Sequence, residues 1–264
     1  MSGALSVAMI GLGEAGSAIA ADLIAAGCAV RGWDPVATGP EGVEAAADAE
    51  AAASGTDLVL SANSAAAALD VARSAAPGLS KGQLFADLNT AAPARKRELA
   101  DAVAATGALF ADVGLIGPVP GNGLRTPALV SGPGAEAFAA ALGPLGMPVT
   151  VVGEAPGDAA AHKLARSVFA KGLAAAIGES LAAAERLGFE EWLHADLERT
   201  LEEADAALLE RLIDGSRLHA ARRVEEMAAA AEMLEDAGVE PRIASASEAW
   251  LRSLADQSEA RAPR

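Results

Sequence analysis

The chain contains no tyrosine, one cysteine and only 3% aromatic residues in 264 positions. The missing tyrosine excludes a tyrosine general acid. The lone cysteine, Cys28, excludes an intrachain disulfide and fits a reducing cytoplasm. Basic residues are also scarce: 20 Lys and Arg stand against 36 Asp and Glu, a formal net charge of -16. So acidic a body repels nucleic acid and anionic membrane surfaces, and neither is expected as a partner. An anionic substrate would need local arginines or lysines to draw it in. Apolar runs are short and broken by glycine, so no membrane span is expected. No basic-then-apolar leader opens the chain. Three scattered histidines and one cysteine give no metal-ligand spacing. No P-loop and no Ser–His–Asp arrangement can be found. The tail DQSEARAPR reads as frayed.

What is present is 52% hydrophobic, much of it alanine. Alanine favours closely packed helices but contributes little burial per residue. Up to about residue 153, short apolar runs alternate with helical patterns. LSVAMIG, CAVRGWD, DLVLSAN, GQLFADLNT, ALFADVGLI, TPALVSG and MPVTVVG read as strands. AGSAIAADLIAAG, VEAAADAEAAA and AEAFAAALGPL read as helices between them. Such alternation predicts an α/β, Rossmann-type doubly wound sheet, mostly parallel, with helices on both faces. From Gly157 onward no strand-like run returns, and an all-α C-terminal domain is expected. Leu193, Leu197, Leu201, Ala204 and Leu208 form one apolar stripe at helical spacing. Pro241 fits a first helical position, with Ile243, Ser247, Trp250, Leu251 and Leu254 on one face after it. The stretch GEAPGD supplies glycine, proline and a capping aspartate, which sets a first domain at 1–156 and a second at 157–264.

VAMIGLGEAGSAIA carries Gly11, Gly13 and Gly16 as G-x-G-x-x-G between a strand and a helix. The first glycine allows a tight turn, the second lets backbone approach a pyrophosphate, and the third lets helix and strand pack closely. Leu12, Glu14 and Ala15 complete the loop, whose helix start offers free N–H groups to phosphate. Asp34 closes the second strand at the spacing of a carboxylate that accepts from the adenosine ribose. Such a carboxylate repels a 2′-phosphate, which favours NAD over NADP. Strand alternation turns Arg31 to the opposite face. A turn residue ahead of Pro35 is the other reading of Asp34. Ala62 and Asn63, ending the third strand, join the same site.

These pieces, in this order, resemble the β-hydroxyacid dehydrogenase superfamily, which includes 6-phosphogluconate dehydrogenase. IGLGEAGSAIA is similar to its cofactor motif, and FADLNTAAP to its D-x-[SN]-T-x-x-P segment. ADVGLIG stands where the family has D-A-P-V-S-G, and GDAAAHKLARS where it has G-x-x-x-K-x-x-x-N. GPVPGNGLRTPALVSG and RLHAARRVEEM resemble a subgroup with a short helical C-terminal domain of unassigned function. The resemblance implies a long interdomain helix and a homodimer formed through the helical domain. It implies that Asn89 and Thr90 line the nicotinamide end, and that Lys163 is the general acid/base. A lysine whose pKa is lowered by burial takes and returns a proton near neutral pH. Lys171, on nearly the same face, is its internal rival, and a solvated surface lysine is the plain alternative.

Three positions depart from the family pattern. Its asparagine is Ser167 here, which can orient a substrate oxygen with a single donor. Its proline is Gly114 and its serine is Ile116, which cannot hold a carboxylate, leaving backbone N–H groups around Gly117. His219, Arg223 and Glu226 fall on one helical face by spacing, and Arg223 or Arg222 is suited to clamp an acidic group. Exposed Arg–Glu pairing is the competing account of that face. The expectation is an NAD(P)-dependent oxidoreductase acting on a small, acidic hydroxy or keto substrate. The alternatives are an imine reductase, and a dinucleotide-binding sensor or assembly protein without chemistry.

Overall fold

The computed structural model describes residues 4–261. The first strand and helix are β1 (Ser6–Ile10) and α1 (Glu14–Ala25), followed by β2 (Ala29–Trp33), β3 (Glu44–Ala45) and α2 (Ala49–Ala53). Next come β4 (Leu58–Ser61), α3 (Ala68–Ala75), β5 (Leu84–Asp87), α4 (Pro93–Ala104) and β6 (Leu109–Leu115). β7 (Ala128–Ser131), α5 (Ala135–Leu142) and β8 (Val149–Gly153) complete the strand-bearing part. Five helices follow: α6 (Asp158–Leu187), α7 (Glu190–Glu202), α8 (Ala206–Leu218), α9 (Ala220–Asp236) and α10 (Arg242–Arg261).

The eight strands form one sheet in the order β3-β2-β1-β4-β5-β6-β7-β8. All neighbours are parallel except β6 and β7. Chain order reverses between β1 and β4, the switch point at whose carboxyl ends ligands bind in open sheets of this kind. Alternate residues of each strand enter two separate cores. Val7, Met9, Leu58, Leu60 and Ala86 pack with Ile19 and Leu23 of α1 and Phe138 and Leu142 of α5. Ala8, Ile10, Val59 and Phe85 pack with Ala52 of α2, Ala72 of α3, and Leu99 and Val103 of α4. Both faces are therefore covered by helices, as the run-and-helix alternation predicts.

One predicted helix starts later than expected. VEAAADAEAAA is helical only from Ala49, because Asp48 accepts from Ala51 N at 2.7 Å and fixes the helix start there. Ahead of it, Glu44 and Ala45 pair with Arg31 and Gly32 as the edge strand β3. An alanine-rich window has helix propensity throughout, so propensity alone does not locate the break.

Contacts divide the chain into a unit ending at Arg166 and one beginning at Ser167. In the second, α9 and α10 pack together, and Ala183, Leu234 and Ala244 form a small core with Met227, Ala231 and Val239. Ile243 N and Ala244 N donate to the Glu179 carboxylate at 2.7 and 2.9 Å, which caps α10 from α6. The stripe from Leu193 to Leu208 does not lie on one helix. Asp205 accepts from Leu208 N and starts α8, leaving Ala204 between helices and Leu201 50% exposed. The tail is helical through Arg261, because α10 continues that far; the last three positions of the frayed-tail expectation lie outside the described residues. Against the expected absence of spans, α6 is long and apolar enough by length and composition to cross a membrane. Its alanines keep hydropathy high although Lys163, Arg166 and Lys171 interrupt it.

Candidate active site at the switch point

The three glycines of the β1–α1 loop carry separate duties. Gly11 has φ +99°, and a Cβ there would meet Ala62 O at 2.2 Å and Asn63 Oδ1 at 2.8 Å. Its N–H donates to Trp33 O at 2.9 Å, while Ala62 N donates to Ile10 O at 2.8 Å. The loops after β1 and β4 thus lie against each other at the switch point. A Cβ on Gly16 would stand 1.9 Å from Gly11 O, so α1 packs on its own loop only with glycine there. Gly13 is exposed, with nothing within 4 Å of a built Cβ. It caps α1 without any side-chain hydrogen bond, which leaves the first N–H groups of that helix for a ligand. Glu14 is exposed beside it, Ala15 is half-buried, and Leu12 is buried under the loop.

Asp34 closes this loop from β2. Its Oδ2 accepts from Leu12 N at 2.8 Å, and its Oδ1 accepts from Val36 N and Ala37 N at 2.8 Å each. Desolvation pushes its carboxyl up, but the three backbone donors together outweigh it and hold the group below its usual range. The residue is thus both a turn-former and a carboxylate kept ionised at the loop. Arg31 lies elsewhere, donating to Ala51 O and Ser54 O and pairing with Glu44.

Beyond β4 and β5 a buried polar network begins. Asn63 N donates to Asn89 Oδ1, and Asn63 Nδ2 donates to Ser61 Oγ at 2.8 Å. Asn89 Nδ2 donates to the Asp87 carboxylate. Asn89 is buried, whereas Thr90 next to it is exposed. Lys96 Nζ, from α4, donates to Asp87 Oδ2 at 2.7 Å and Asp87 O at 2.9 Å. The same ammonium stands 3.0 Å from Asp112 Oδ1, an ion pair without hydrogen-bond geometry. Asp112 Oδ2 accepts from Gly157 N, Ala160 N and Ser131 Oγ, and Ser131 Oγ accepts from Ala159 N at 2.9 Å. The start of α6 is therefore capped from inside the sheet.

Lys163 lies in the second turn of α6 and is half-buried. A Cβ on Gly114 would stand 3.3 Å from Lys163 Cβ and 3.5 Å from its Cδ, so the bare backbone of β6 seats the lysine stem. Lys171 is exposed. Ser167 is half-buried one turn after Lys163 on the same helix. Ile116 is half-buried and its N–H is taken by Pro127 O at 2.7 Å. Gly117, exposed with φ +114°, offers open backbone.

In the helical unit RLHAARRVEEM is not one helix. His219 is an exposed residue between α8 and α9, with φ −116° and ψ 24°, and its carbonyl accepts from Arg223 N at 3.1 Å. Arg222, Arg223 and Glu226 line a cavity of about 540 Å³ with Ser216 and Trp250. Arg223 donates to Ser216 Oγ at 3.0 Å there.

The structure thus brings together Gly11 through Gly16, Asp34, Ala62, Asn63 and Asn89. Sequence reasoning missed Asp87, Lys96 and Asp112. The signal was present: Lys96, Leu99, Ala100 and Val103 share a helical face, so Lys96 occupies a core position. Asp87, ending β5, and Asp112, inside β6, also require a buried partner.

Residues 6–153 match the model of the NAD binding domain of 6-phosphogluconate dehydrogenase, and residues 184–254 a domain of unknown function, DUF1932. An uncharacterized 28.5 kDa protein of Methanothermus fervidus is 30% identical over 172 residues; the match spans 65% of each chain. Among solved structures, a conserved hypothetical protein from Sinorhizobium meliloti 1021 is 33% identical with TM-score 0.63, covering 95% of this chain and 88% of that one. MTH1747, a conserved protein described as structurally similar to 3-hydroxyacid dehydrogenases, is 29% identical with TM-score 0.62, covering 96% and 97%. The imine reductase of Myxococcus stipitatus, in complex with NADP+, shares the fold at TM-score 0.81 and 21% identity, covering 97% and 95%. The NAD(P)-binding loop, the switch-point sheet and the helical region after it agree with these matches: the chain belongs to the 6-phosphogluconate dehydrogenase-like NAD-binding family and carries a DUF1932 region behind that domain.

Proposed function

We propose that the chain is an oxidoreductase that interconverts a small, acidic alcohol and its carbonyl, with NAD preferred to NADP. The observation that carries this reading is the loop at Gly11–Gly16, whose uncapped helix start is open at Gly13. Such a loop fits a pyrophosphate and little else of that size. A bound nicotinamide supplies or accepts the hydride. Asp34, held ionised by its three backbone donors, accepts from ribose hydroxyls and disfavours a 2′-phosphate. Asn63 and Asn89 hold the loops at the nicotinamide end. Lys163 takes the hydroxyl proton in oxidation and returns it in reduction. Ser167, a turn later, donates to a substrate oxygen. Gly117 offers a backbone N–H to the acidic group. The half-buried thiol of Cys28, which burial keeps protonated, suits a reducing cytoplasm. Two copies associate through the helical region, a reading supported by exposed Val168 and Phe169.

The test is NADH formation on a panel of hydroxyacids and polyol phosphates, with NADP in parallel. Lys163→Ala should lower turnover by about a hundredfold, the scale of a lost acid/base group, while NADH still binds. Activity that survives the change assigns the proton to another residue. Half-buried Ile116, aliphatic where the family has serine, favours a second reading as a dinucleotide-binding protein without chemistry. Tight NADH binding with no turnover, indifferent to Lys163→Ala, would support that instead.

A further inference from the structure

The cluster formed by Asp87, Lys96 and Asp112 is larger than a structural ion pair requires. Asp87 and Asp112 are register partners on neighbouring parallel strands, so two carboxylates face each other across β5 and β6. Like charges so placed repel. All three side chains are at most 1% exposed. Burying three charges costs more than apolar residues of the same volume would, so the cluster adds little stability for its own sake.

Its connections are what distinguish it. Through Asp87 the ammonium fixes Asn89, which in turn holds Asn63 N. Through Asp112 it fixes Gly157 N and Ala160 N, the start of the helix that carries Lys163. The loops after β4 and β5 and the head of α6 therefore meet on one buried side chain. We propose that Lys96 is a positioning residue. It cancels the Asp87–Asp112 repulsion and so holds the nicotinamide-end loops and the Lys163 helix in one arrangement. This deepens the dehydrogenase reading and rests on it.

The titratable groups facing Lys96 are Asp87 from β5 and Asp112 from β6. From α3, which packs on α4, come only exposed Asp70 and Arg73. Lys163 of α6 is seated over Gly114 of β6. Burial already pushes the Asp87 carboxyl up against the pull of Lys96, so removing the ammonium leaves a pair that must take up a proton to coexist.

The experiment measures NADH affinity by fluorescence from pH 6 to pH 9 in wild type, Lys96→Met, and Lys96→Met combined with Asp87→Asn. Unfolding midpoints are recorded over the same range. Lys96→Met should bind NADH at least about tenfold more weakly at high pH and recover as pH falls. The double variant keeps Asp112 as the α6 cap and loses the repulsion, so its affinity and midpoint should vary with pH much less than those of the single variant. It also decides the matter if Lys96→Met alone fails to fold. Affinity equal to wild type in Lys96→Met, a loss equal at every pH, or a double variant as pH-dependent as the single one would overturn the proposal. A wild-type chain that binds neither NADH nor NADPH would remove the dehydrogenase reading instead, while the midpoints still report on the charge cluster.

Discussion

Gly13 and Gly16 stand three positions apart in the same loop and tolerate very different changes. Gly13 has φ −67°, which any residue adopts, and open space around its missing side chain. Gly13→Ala should leave the melting temperature nearly unchanged yet weaken NADH binding by at least about tenfold, or roughly 1.4 kcal/mol. Gly16→Ala forces a methyl onto the Gly11 carbonyl, 1.9 Å away. It should destabilise the fold by about 1–3 kcal/mol or more, as overpacking does. Paired melting and titration curves check both. Asp34 gives a prediction of another kind. Its carboxyl is lowered in the folded chain, so its contribution to stability is present above the ordinary value of 3.8 and lost as pH falls through the folded-state value. The stability gap between wild type and Asp34→Asn should be flat near neutrality and close only below pH 3.8. The same substitution should shift cofactor preference toward NADP, read as the ratio of the two dissociation constants.

At the scale of elements, the helix ends carry much of the information. α10 begins on the Glu179 carboxylate. Glu179→Ala should cost about 1 kcal/mol, the usual price of a lost cap, and appear as a lower denaturant midpoint with NADH affinity unchanged. Such caps also mark where sequence reading succeeded and failed. The strands were legible because LVLS, LFAD and SVAMI are buried on both faces and therefore continuous in apolar character. The glycine loop was legible because its spacing encodes backbone geometry. The break ahead of α2 was not, since alanine fills both its strand and its helix, and only Asp48 decides. Nor was the split of the leucine stripe, because Asp205 interrupts it without disturbing its period. The Asp87–Lys96–Asp112 cluster joins residues from two strands and a helix. A charge at a core position announces that a partner exists, but not which one.

Taken as a whole molecule, the chain leaves Val168 at 76% and Phe169 at 68% exposure on α6, with Trp192 at 65% on α7. The adjacent, exposed Val168 and Phe169 signal an association face. Phe169→Glu should convert a dimer into a monomer by light scattering while NADH affinity holds. A wild-type monomer at micromolar concentration would rule that face out. One consequence concerns light rather than binding. With no tyrosine and three tryptophans, the near-ultraviolet emission of this protein is entirely indole. Two emitters, Trp192 and Trp250, are 65% and 55% exposed and belong to the helical unit. The third, half-buried Trp33, ends β2 with its carbonyl holding the Gly11 amide. A reduced nicotinamide absorbs where indole emits, so the bluest component of the chain's own fluorescence is a reporter built into the cofactor loop.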